Sequence, residues 1–488
     1  MTLEKNFQKF RKNIVGVNLV FPTPYGKKKL IYTDWTASGR LYGPIEDKIK
    51  KDFGPLVGNT HTETTLTGTA MTRAYHQAQK IIKRHVGAGS KDIIIETGSG
   101  MTGAVVKLQR ILGLIMPEKL APYSKIPSRL KPVVFITHME HHSNQTSWLE
   151  TIADVEIIKP TEDGLVDLNH LKSLLRKYKN RKLKIASVTA GSNVTGIASP
   201  YHEIAKIMHK NRGLCFVDFA CAAPYIKINM HPKNSFQKLD AIFFSPHKFL
   251  GGPGTSGVLI FDSKLYTSKV PDRPGGGTVI WTNPWGEHQY YKEIELREDG
   301  GTPPFLQTIR TALAIKLKEQ MGIPKILARE KEILKILFRR MNKIKNLQIL
   351  AKNIKRRLGV VSFIIHDLHY NLVAKLLNDR YGIQTRGGCA CAGTYGHYLF
   401  NISKNYSKKI TDRISKGDLS TKPGFVRLSI HPTTTNAELK TITKALSEIS
   451  QNGKEWQKNY RYNKKTNEWT HRREISTNQL LEKLFSLK

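Results

Sequence analysis

The stretch AIFFSPHKFLGGPG, residues 241–254, carries the strongest indication of the fold. Four apolar residues, typical of a buried strand, are followed at once by Ser245, His247 and Lys248 and then by a glycine-rich turn. Burial at the end of such a strand would lower the pKa of a lysine and make it nucleophilic. Ser245 and His247 could donate to a phosphate beside it. A strand followed by a glycine-rich turn is common in α/β proteins, so this stretch alone predicts a site without identifying it.

The segments around this stretch alternate between short β-rich runs and amphipathic helices. The predicted strands are Asp92–Glu96, Val133–Thr137, Val155–Ile158, Ile185–Thr189, Leu214–Asp218, Ala241–Phe244 and Gly257–Phe261, and the clearest helices are Ala70–His85 and Tyr201–His209. This alternation is typical of a βαβ domain with a mostly parallel sheet. We therefore predict an α/β fold with a large domain at residues 30–306. Ligands of such sheets bind beyond the carboxyl ends of the strands.

The rest of the chain has a different pattern. We predict a smaller α/β domain from residues 1–29 and 307–450, followed by a basic tail at 451–488. The elements predicted in these regions are a helix within Ile326–Ile349, a strand Phe425–Ile430, a helix Asn436–Ile449 and an amphipathic segment Asn478–Leu487. The tail is expected to be a loosely packed extension, with a partner-binding appendage as the alternative.

Composition narrows the class of protein. Of the 488 residues 39% are hydrophobic and 24% are charged, and no apolar run approaches the roughly 20 residues that a membrane span needs. The net charge of +39 would attract nucleic acid, yet the positive residues are spread along the chain without a nucleic-acid-binding motif. Nucleic acid is therefore a possible but not a favoured partner. Because Met1–Val15 lacks the apolar stretch of a secretory signal, we expect a cytoplasmic protein.

The four cysteines, Cys215, Cys221, Cys389 and Cys391, show no zinc-ligand spacing. We therefore expect no metal, and reactive thiols in place of structural disulfides.

Two further polar groups follow predicted strands. Asp218 ends an apolar run one strand upstream of Lys248, where a buried carboxylate needs a cationic partner such as a protonated pyridine nitrogen, or else simply caps a turn. The string HMEHHSN, residues 138–144, follows the strand Val133–Thr137. Adjacent histidines rarely point at one ion, so a ring that stacks and transfers protons is favoured over a metal ligand.

With these strings in place, the sequence resembles a known family. HMEHHSN (138–144), GSNVTG (191–196), FVDFA (216–220), FFSPHK (243–248), GGGT (275–278) and RGGCACA (386–392) occur in the order seen in cysteine desulfurases and selenocysteine lyases of the class V aminotransferase family. Each string is weak alone, but six in the right order over residues 30–445 are specific. The resemblance implies the PLP-dependent transferase fold type I and the cofactor pyridoxal 5'-phosphate.

The resemblance also implies roles for individual residues. Lys248 would be the Schiff-base lysine and proton shuttle, Asp218 the partner of the pyridine nitrogen, and His141 the ring stacked on the cofactor. The phosphate contacts implied are Ser245, His247 and the loop residues Ser99, Gly100 and Thr102, among which the spacing does not choose. Asn193 and Arg386 would orient the substrate, with Arg386 binding its carboxylate. Thr302 resembles the threonine that reaches the phosphate of a neighbouring subunit, which implies a homodimer.

Two residues depart from the family pattern. Cys221 stands where a glutamine usually lies beside the phenolic oxygen of the cofactor, and a thiol is only a weak hydrogen-bond donor. Cys389 is an additional thiol two residues before Cys391, the position of the catalytic cysteine in the family. Cys389 could be a spectator, a persulfide relay or an oxidation partner of Cys391.

The function implied is desulfuration of L-cysteine to L-alanine, with a persulfide left on Cys391 and its sulfur passed to an acceptor protein. A cysteine between Gly388 and Gly393 is expected to lie on a mobile loop. Selenocysteine is an alternative substrate. A different class V reaction, namely transamination, epimerisation or β-elimination, is a second possible function, and a nucleic-acid-binding degenerate relative is a third.

Overall fold

The computed structural model describes residues 2–473 and 478–487. The helices are α1 Leu3–Arg11, α2 Gly43–Lys48, α3 Leu66–His85, α4 Gly100–Ile111, α5 His142–Leu149, α6 Leu168–Lys177, α7 Tyr201–Lys210, α8 Ile294–Arg297, α9 Phe305–Met321, α10 Ile323–Met341, α11 Tyr370–Tyr381, α12 Gly393–Leu399, α13 Lys404–Ser415, α14 Asn436–Trp456 and α15 Asn478–Phe485. The strands are β1 Val20–Thr23, β2 Gly26–Lys29, β3 Ile31–Tyr32, β4 Asp92–Thr97, β5 Val133–Thr137, β6 Asp154–Ile158, β7 Lys184–Thr189, β8 Leu214–Asp218, β9 Ala241–Phe244, β10 Gly257–Asp262, β11 Val279–Thr282, β12 His288–Tyr290, β13 Leu347–Ile349, β14 Val360–Ile365, β15 Ile383–Gln384, β16 Arg386–Gly388, β17 Phe425–Ser429, β18 Tyr460–Asn463 and β19 Glu468–His471. Within these ranges no helix is both long and apolar enough to cross a membrane.

A seven-stranded sheet forms the centre of the large domain, in the order β4-β10-β9-β8-β7-β5-β6. The five strands from β9 to β6 are parallel, and β10 runs antiparallel to both of its neighbours. The predicted mostly parallel sheet is thus confirmed, and each of its strands begins and ends within one residue of the predicted bounds. Strands β5, β7 and β9 are buried along their whole length, as expected for a sheet covered on both faces.

A second sheet, with strand order β13-β14-β17-β16, is antiparallel and is covered by α10, α11 and α14. The helix predicted within Ile326–Ile349 ends instead at Met341, and Leu347–Ile349 pairs with β14. Asn346 has a φ of 60°, which breaks the helical path and turns the chain into the strand. The helix predicted at Asn436–Ile449 continues to Trp456, because its apolar stripe goes on packing on the same core.

Three elements lie across the predicted domain boundaries. Helix α9 packs on α3 of the large domain through Ile309 and Ala312, although residues from 307 were assigned to the small domain. Strand β3 pairs in parallel with β15, so Ile31–Tyr32 lies beside the C-terminal part of the chain. Helix α1 inserts Phe7 into the larger core.

The tail differs from the loosely packed extension that its polar composition predicts. Strands β18 and β19 form a hairpin whose residue Tyr460 is buried in the small-domain core and donates to Asp379 at 3.1 Å. Asn467 of the hairpin turn is also buried, and its amide donates to the hydroxyl of Tyr370 at 2.7 Å. Beyond the hairpin, α15 confirms the predicted amphipathic segment as a helix, while residues 474–477 and 488 lie outside the described part of the chain.

Candidate active site

A cavity of about 260 Å³ opens at the carboxyl ends of the parallel strands, where α/β proteins bind their ligands. Its lining includes eleven of the thirteen predicted site residues, namely Ser99, Thr102, His141, Asn193, Asp218, Cys221, Ser245, His247, Lys248, Arg386 and Cys391. Residues as far apart in sequence as Ser99 and Cys391 therefore meet at one place. Gly100 packs against Ser245 and His247 of this lining, and Thr302 lines a different cavity.

Lys248 lies in a short helical turn directly after β9. The turn packs tightly on the glycine-rich segment, since a Cβ on Gly252 would lie 1.9 Å from the carbonyl oxygen of Pro246. Burial lowers the pKa of the Lys248 ammonium group, while Cys221 and Asp218 oppose that shift. A buried lysine with a lowered pKa holds a larger neutral fraction at neutral pH, which is the form that acts as nucleophile or base.

Asp218 ends strand β8 and is only 3% exposed. Burial raises the pKa of its carboxyl group to about 6, against the opposing effects of the Ala220 amide, which donates to Oδ1 at 2.7 Å, and of Lys248. A buried carboxylate with one amide donor retains free acceptor capacity toward the cavity. A cationic ring nitrogen placed there would lower this pKa and stabilise the ionised form.

The opposite end of the cavity is formed by the start of α4. Gly98 and Gly100 have φ values of 50° and 61°, and a Cβ on Gly100 would lie 2.9 Å from both Ser245 Oγ and His247 Cε1. Ser99 is the N-cap of α4, but its side chain makes no capping hydrogen bond. Because a helix N-terminus and hydroxyl groups bind anions, this end of the cavity is suited to a phosphate.

His141 caps α5, and its Nδ1 accepts a hydrogen bond from the Ser143 amide at 3.1 Å. Burial, with a contribution from Lys248, lowers the pKa of the ring to about 3, so His141 is neutral and carries its proton on Nε2. Glu140, which precedes His141 and which the sequence did not indicate, accepts hydrogen bonds from Thr137, Asn144 and Thr189. A neutral ring is suited to stacking.

In the described ranges no group of three or more His, Cys, Asp or Glu side chains forms a metal site.

Cys221 and Asn193 lie beside each other in the cavity wall. The Cys221 thiol donates to the carbonyl oxygen of Ser192 at 3.6 Å, and burial raises its pKa to about 11, so it is a neutral thiol. The Asn193 amide nitrogen donates to the carbonyl oxygen of Ala390 at 2.6 Å. Its Oδ1 atom is buried and has no hydrogen-bond partner among residues 2–473 and 478–487. A ligand that brings a donor to this wall would satisfy that atom.

The loop that carries Cys391 is held in place, in contrast to the mobile loop expected between Gly388 and Gly393. Besides the bond from Asn193 to Ala390, the His142 amide donates to the carbonyl oxygen of Cys391 at 2.7 Å, and the His142 ring accepts from the Gly393 amide at 2.9 Å. Ala390 and Cys391 have φ values of 49° and 54°, which form a tight turn. The Cys391 side chain is exposed at the cavity mouth, and Cys389 is partly buried.

Arg386 lies beside a second arginine, Arg427, that the sequence motifs do not indicate. Both contact Asp34, with distances of 2.9 Å from Arg386 Nη2 to Oδ2 and 2.7 Å from Arg427 Nη2 to Oδ1. Arg427 is almost completely buried, whereas the Arg386 side chain is 48% exposed. The sequence signal for Arg427 is its place between Val426 and Leu428 in the buried strand β17, where a charged residue needs a partner.

Replacing Asp34 by asparagine is expected to destabilise the fold by about 3 kcal/mol, because Arg427 would keep a buried charge without its carboxylate partner. The free energy of unfolding in urea measures the effect. Asp52→Asn is the matched control, since Asp52 pairs with Lys48 at 2.6 Å but is 56% exposed, and such a pair contributes about 0–1 kcal/mol. Equal losses in the two variants would contradict the role given to Asp34.

The donors and acceptors of the cavity fit pyridoxal 5'-phosphate. Ser99, Thr102, Ser245, His247 and the amides of the α4 start could hold the phosphate, and Asp218 could face the pyridine nitrogen. The unpartnered Oδ1 of Asn193 and the neutral ring of His141 could contact the ring of the cofactor. Lys248 would supply the amine to which the aldehyde of the cofactor attaches.

Comparisons with known proteins give the same assignment. Residues 31–442 match the family model Aminotransferase class-V. The chain is 28% identical over 417 residues to a probable cysteine desulfurase of Halalkalibacterium halodurans, covering 81% of this chain and 94% of that relative. It is 27% identical over 380 residues to one of Staphylococcus aureus, covering 77% and 86%.

Solved structures share the fold. An apo cysteine desulfurase from Thermococcus onnurineus superposes with a TM-score of 0.72 at 23% identity, covering 91% of this chain and 98% of that one. A cysteine desulfurase from Escherichia coli superposes with a TM-score of 0.70 at 19% identity, covering 91% and 98%. The predicted fold type is confirmed, and this chain belongs to the aminotransferase class-V family of pyridoxal-phosphate enzymes.

Proposed function

We propose that this protein is a cysteine desulfurase, which converts L-cysteine to L-alanine and retains the sulfur as a persulfide on Cys391. The observation that carries the proposal is the position of an exposed thiol, Cys391, at the mouth of the cavity that contains Lys248 and Asp218. The names of the relatives from Halalkalibacterium halodurans and Staphylococcus aureus support it. Assays of alanine and sulfide from L-cysteine with the purified holoenzyme test it.

Bound pyridoxal phosphate supplies an electron sink for the carbanion at Cα of an amino acid. Lys248, in its neutral form, removes the Cα proton, and the lowering of its pKa by burial suits it to that task. Asp218 stabilises positive charge at the far end of the cavity. His141 remains neutral and carries its proton on Nε2, so it can donate that proton to a ligand in the cavity.

Cys391 carries the sulfur chemistry. Its thiolate attacks the sulfur of the substrate, an S–S bond forms, and the bond from that sulfur to Cβ breaks. The electron pair of the broken bond remains on Cβ, which takes up a proton and becomes the methyl group of alanine. Because the backbone of the loop is tied to Asn193 and His142, the thiol reaches the cavity by side-chain rotation.

Arg386 binds the substrate carboxylate. In the structure its guanidinium contacts Asp34, and its half-exposed side chain can exchange that carboxylate for one on the substrate, while the buried Arg427 continues to hold Asp34. Asn193 positions the cysteine loop against this arginine through Ala390. The same groups would accept selenocysteine, since its carboxylate and amine are identical, so relative rates on the two amino acids decide the preferred substrate.

Dimerisation and location follow from the same proposal. Thr302 is exposed and lies outside the cavity of its own chain, which suits a contact with the phosphate of a partner subunit in a homodimer. All four cysteines are free thiols in the structure, as the reducing cytoplasm favours. Sedimentation of the holoenzyme tests the dimer, and the same measurement on a Thr302→Ala variant tests the contact of Thr302.

Replacing Asp218 by asparagine is expected to lower kcat by roughly 10²-fold or more, with a much smaller loss of cofactor affinity. The charge of Asp218 matters most when negative charge develops on the substrate carbon, whereas Ser245 and His247, which would hold the phosphate, are unchanged in the variant. Steady-state kinetics and fluorescence titration with pyridoxal phosphate measure the two quantities. Parallel losses of rate and affinity would contradict this assignment.

A further inference from the structure

The surface beside the cysteine loop is strongly basic. The segment of residues 400–424, which contains α13, holds six Lys or Arg residues against two Asp, and the hairpin segment of residues 460–473 holds five against one Glu. We call the cations of these two segments the basic surface; they are Lys404, Lys408, Lys409, Arg413, Lys416, Lys422, Arg461, Lys464, Lys465, Arg472 and Arg473. Within the described ranges none of them forms a salt bridge, whereas 25 salt bridges occur elsewhere in them.

The two segments belong to one surface. The Leu419 amide donates to the carbonyl oxygen of Lys464 at 2.9 Å, which joins the end of the first segment to the hairpin turn. Two hydrogen bonds from Ser420 lower the pKa of Asp418, and the nearby positive charges of Lys464 and Arg413 lower it further. Helix α13 is fixed by the contact of His397 Nε2 with Ser407 Oγ at 2.9 Å. The basic surface is therefore an ordered part of the fold.

The basic surface adjoins the Cys391 loop. Helix α12 begins two residues after Cys391 and leads directly into α13. Burial lowers the pKa of His142, and the positive charge of Lys422 lowers it further. His142 is the residue that binds the loop backbone at Cys391 and Gly393. The Tyr370 hydroxyl donates to the carbonyl oxygen of Lys422 at 3.1 Å. A molecule that approaches the exposed thiol of Cys391 therefore meets Lys422 near the loop, and the rest of the basic surface continues from Lys422 along the same two segments.

Helix α13 also buries little of its surface in the core. Of its twelve residues, Ile410 alone is buried, while Lys404, Lys408, Lys409 and Arg413 are exposed. A helix that holds four unpaired cations in water and buries one apolar side chain contributes little to folding free energy. Clustered like charges on it repel one another, so their arrangement is unfavourable unless a partner of opposite charge neutralises them.

We propose that the basic surface docks an acidic protein that presents a thiol to Cys391 and receives its sulfur. This inference rests on the proposed desulfurase function. In the transfer step the thiolate of the partner attacks the outer sulfur of the Cys391 persulfide, a new S–S bond forms on the partner, and the bond to Cys391 breaks to release its thiolate. The step has no net oxidation and needs no co-reactant. Transfer to an RNA base would need activation of an oxygen leaving group, so an acidic protein is favoured over RNA.

Two synthetic peptides of equal length, each with one cysteine, test the charge preference on the holoenzyme. One carries Asp and Glu around the cysteine and the other carries Ser at those positions. The rate of persulfide transfer, measured by mass spectrometry at low salt, is expected to be about tenfold higher for the acidic peptide, and the preference should decline as ionic strength rises. Equal rates for the two peptides would overturn the proposal.

A triple variant locates the effect. Lys408→Glu, Lys409→Glu and Arg413→Glu reverse three exposed cations of α13, and the matched control reverses Lys119, Lys125 and Arg129, which are also exposed and unpaired but lie before β5, at the amino ends of the parallel strands. The α13 variant is expected to lose the preference for the acidic peptide, while the control keeps it. Both should keep wild-type alanine production with dithiothreitol as acceptor. Equal loss in both variants would sink the proposal.

Two further measurements separate the remaining outcomes. Fluorescence anisotropy of a labelled acidic peptide measures docking without turnover, and docking should be lost in the α13 variant. This measurement tests the basic surface even if the protein forms no alanine and the desulfurase assignment fails. A labelled single-stranded RNA oligonucleotide is the comparison ligand. If the α13 variant loses RNA binding while neither peptide is preferred by the wild type, the basic surface belongs to nucleic acid and the proposal is wrong.

Discussion

Replacing Lys248 by alanine is expected to abolish turnover of L-cysteine, with a loss of roughly 10⁴-fold or more, and to leave the fold intact. The loss is large because one amine serves both as the covalent attachment of the cofactor and as the base at Cα. The fold should survive because the Lys248 side chain makes no hydrogen bond or ion pair within residues 2–473 and 478–487. Alanine formation and thermal unfolding measure the two effects.

Chemical labelling gives an independent check on Lys248. Borohydride reduction of the wild-type holoenzyme should fix the cofactor on the peptide that contains residues 245–250, and the Lys248→Ala protein should not be labelled. Lys318 is the most informative competitor, because burial lowers its pKa to about 7. Its amine, however, is already bound to the carbonyl oxygens of Ala223 and Ile226 at 2.6 Å. Label on Lys318 or any other lysine would refute the assignment of Lys248.

The central sheet was predictable because its strands are buried on both faces. Such strands appear in sequence as short uninterrupted apolar runs with polar ends, so their bounds are sharp, as for Val133–Thr137 and Ala241–Phe244. The same property located the site, since the polar residue that ends each run lies at the carboxyl edge of the sheet. Asp218 and Lys248 were found in this way.

The pairing of Asp34 with Arg386 and Arg427 was not predictable from local pattern. Asp34 and Arg427 are separated by 393 residues, and nothing in either segment indicates the other. The hairpin from Tyr460 to His471 was missed for a related reason. It has few aliphatic residues and is held by polar contacts, such as that between Asn467 and Tyr370, which have no periodic signal. The sequence predicts too long a helix α10, because Leu347 and Ile349 continue its apolar spacing by coincidence.

The role of the cysteine loop depends on both its sequence motif and its backbone contacts. The order of motifs in the sequence singled out Cys391, whereas the structure shows that its backbone is held by Asn193 and His142. A fixed backbone with an exposed side chain leaves the thiol two directions in which to act, inward to the cavity and outward to an acceptor. Both are needed for a residue that takes sulfur from one molecule and passes it to another.

Replacing Cys391 by serine is expected to abolish persulfide formation and to lower alanine production from L-cysteine by at least about 10³-fold, while pyridoxal phosphate still binds and L-cysteine still changes its absorption spectrum. Serine keeps the size of the side chain, but a hydroxyl is a far weaker acid than a thiol and is not ionised at neutral pH. The left-handed backbone at residue 391 is no more strained with serine than with cysteine, so the loop should keep its turn. Persulfide is measured by mass spectrometry of the protein, and alanine by chromatography.

Cys389→Ser is the matched control, two residues away in the same loop. Cys389 is partly buried and does not line the cavity, so its substitution should leave alanine production close to that of the wild type. If Cys389 relays sulfur, its loss would instead slow transfer to an external thiol while persulfide accumulates on Cys391. Alanine production that survives the loss of Cys391 undiminished would exclude the desulfurase mechanism, and it would favour a class V reaction in which Lys248 and Asp218 act without a protein thiol.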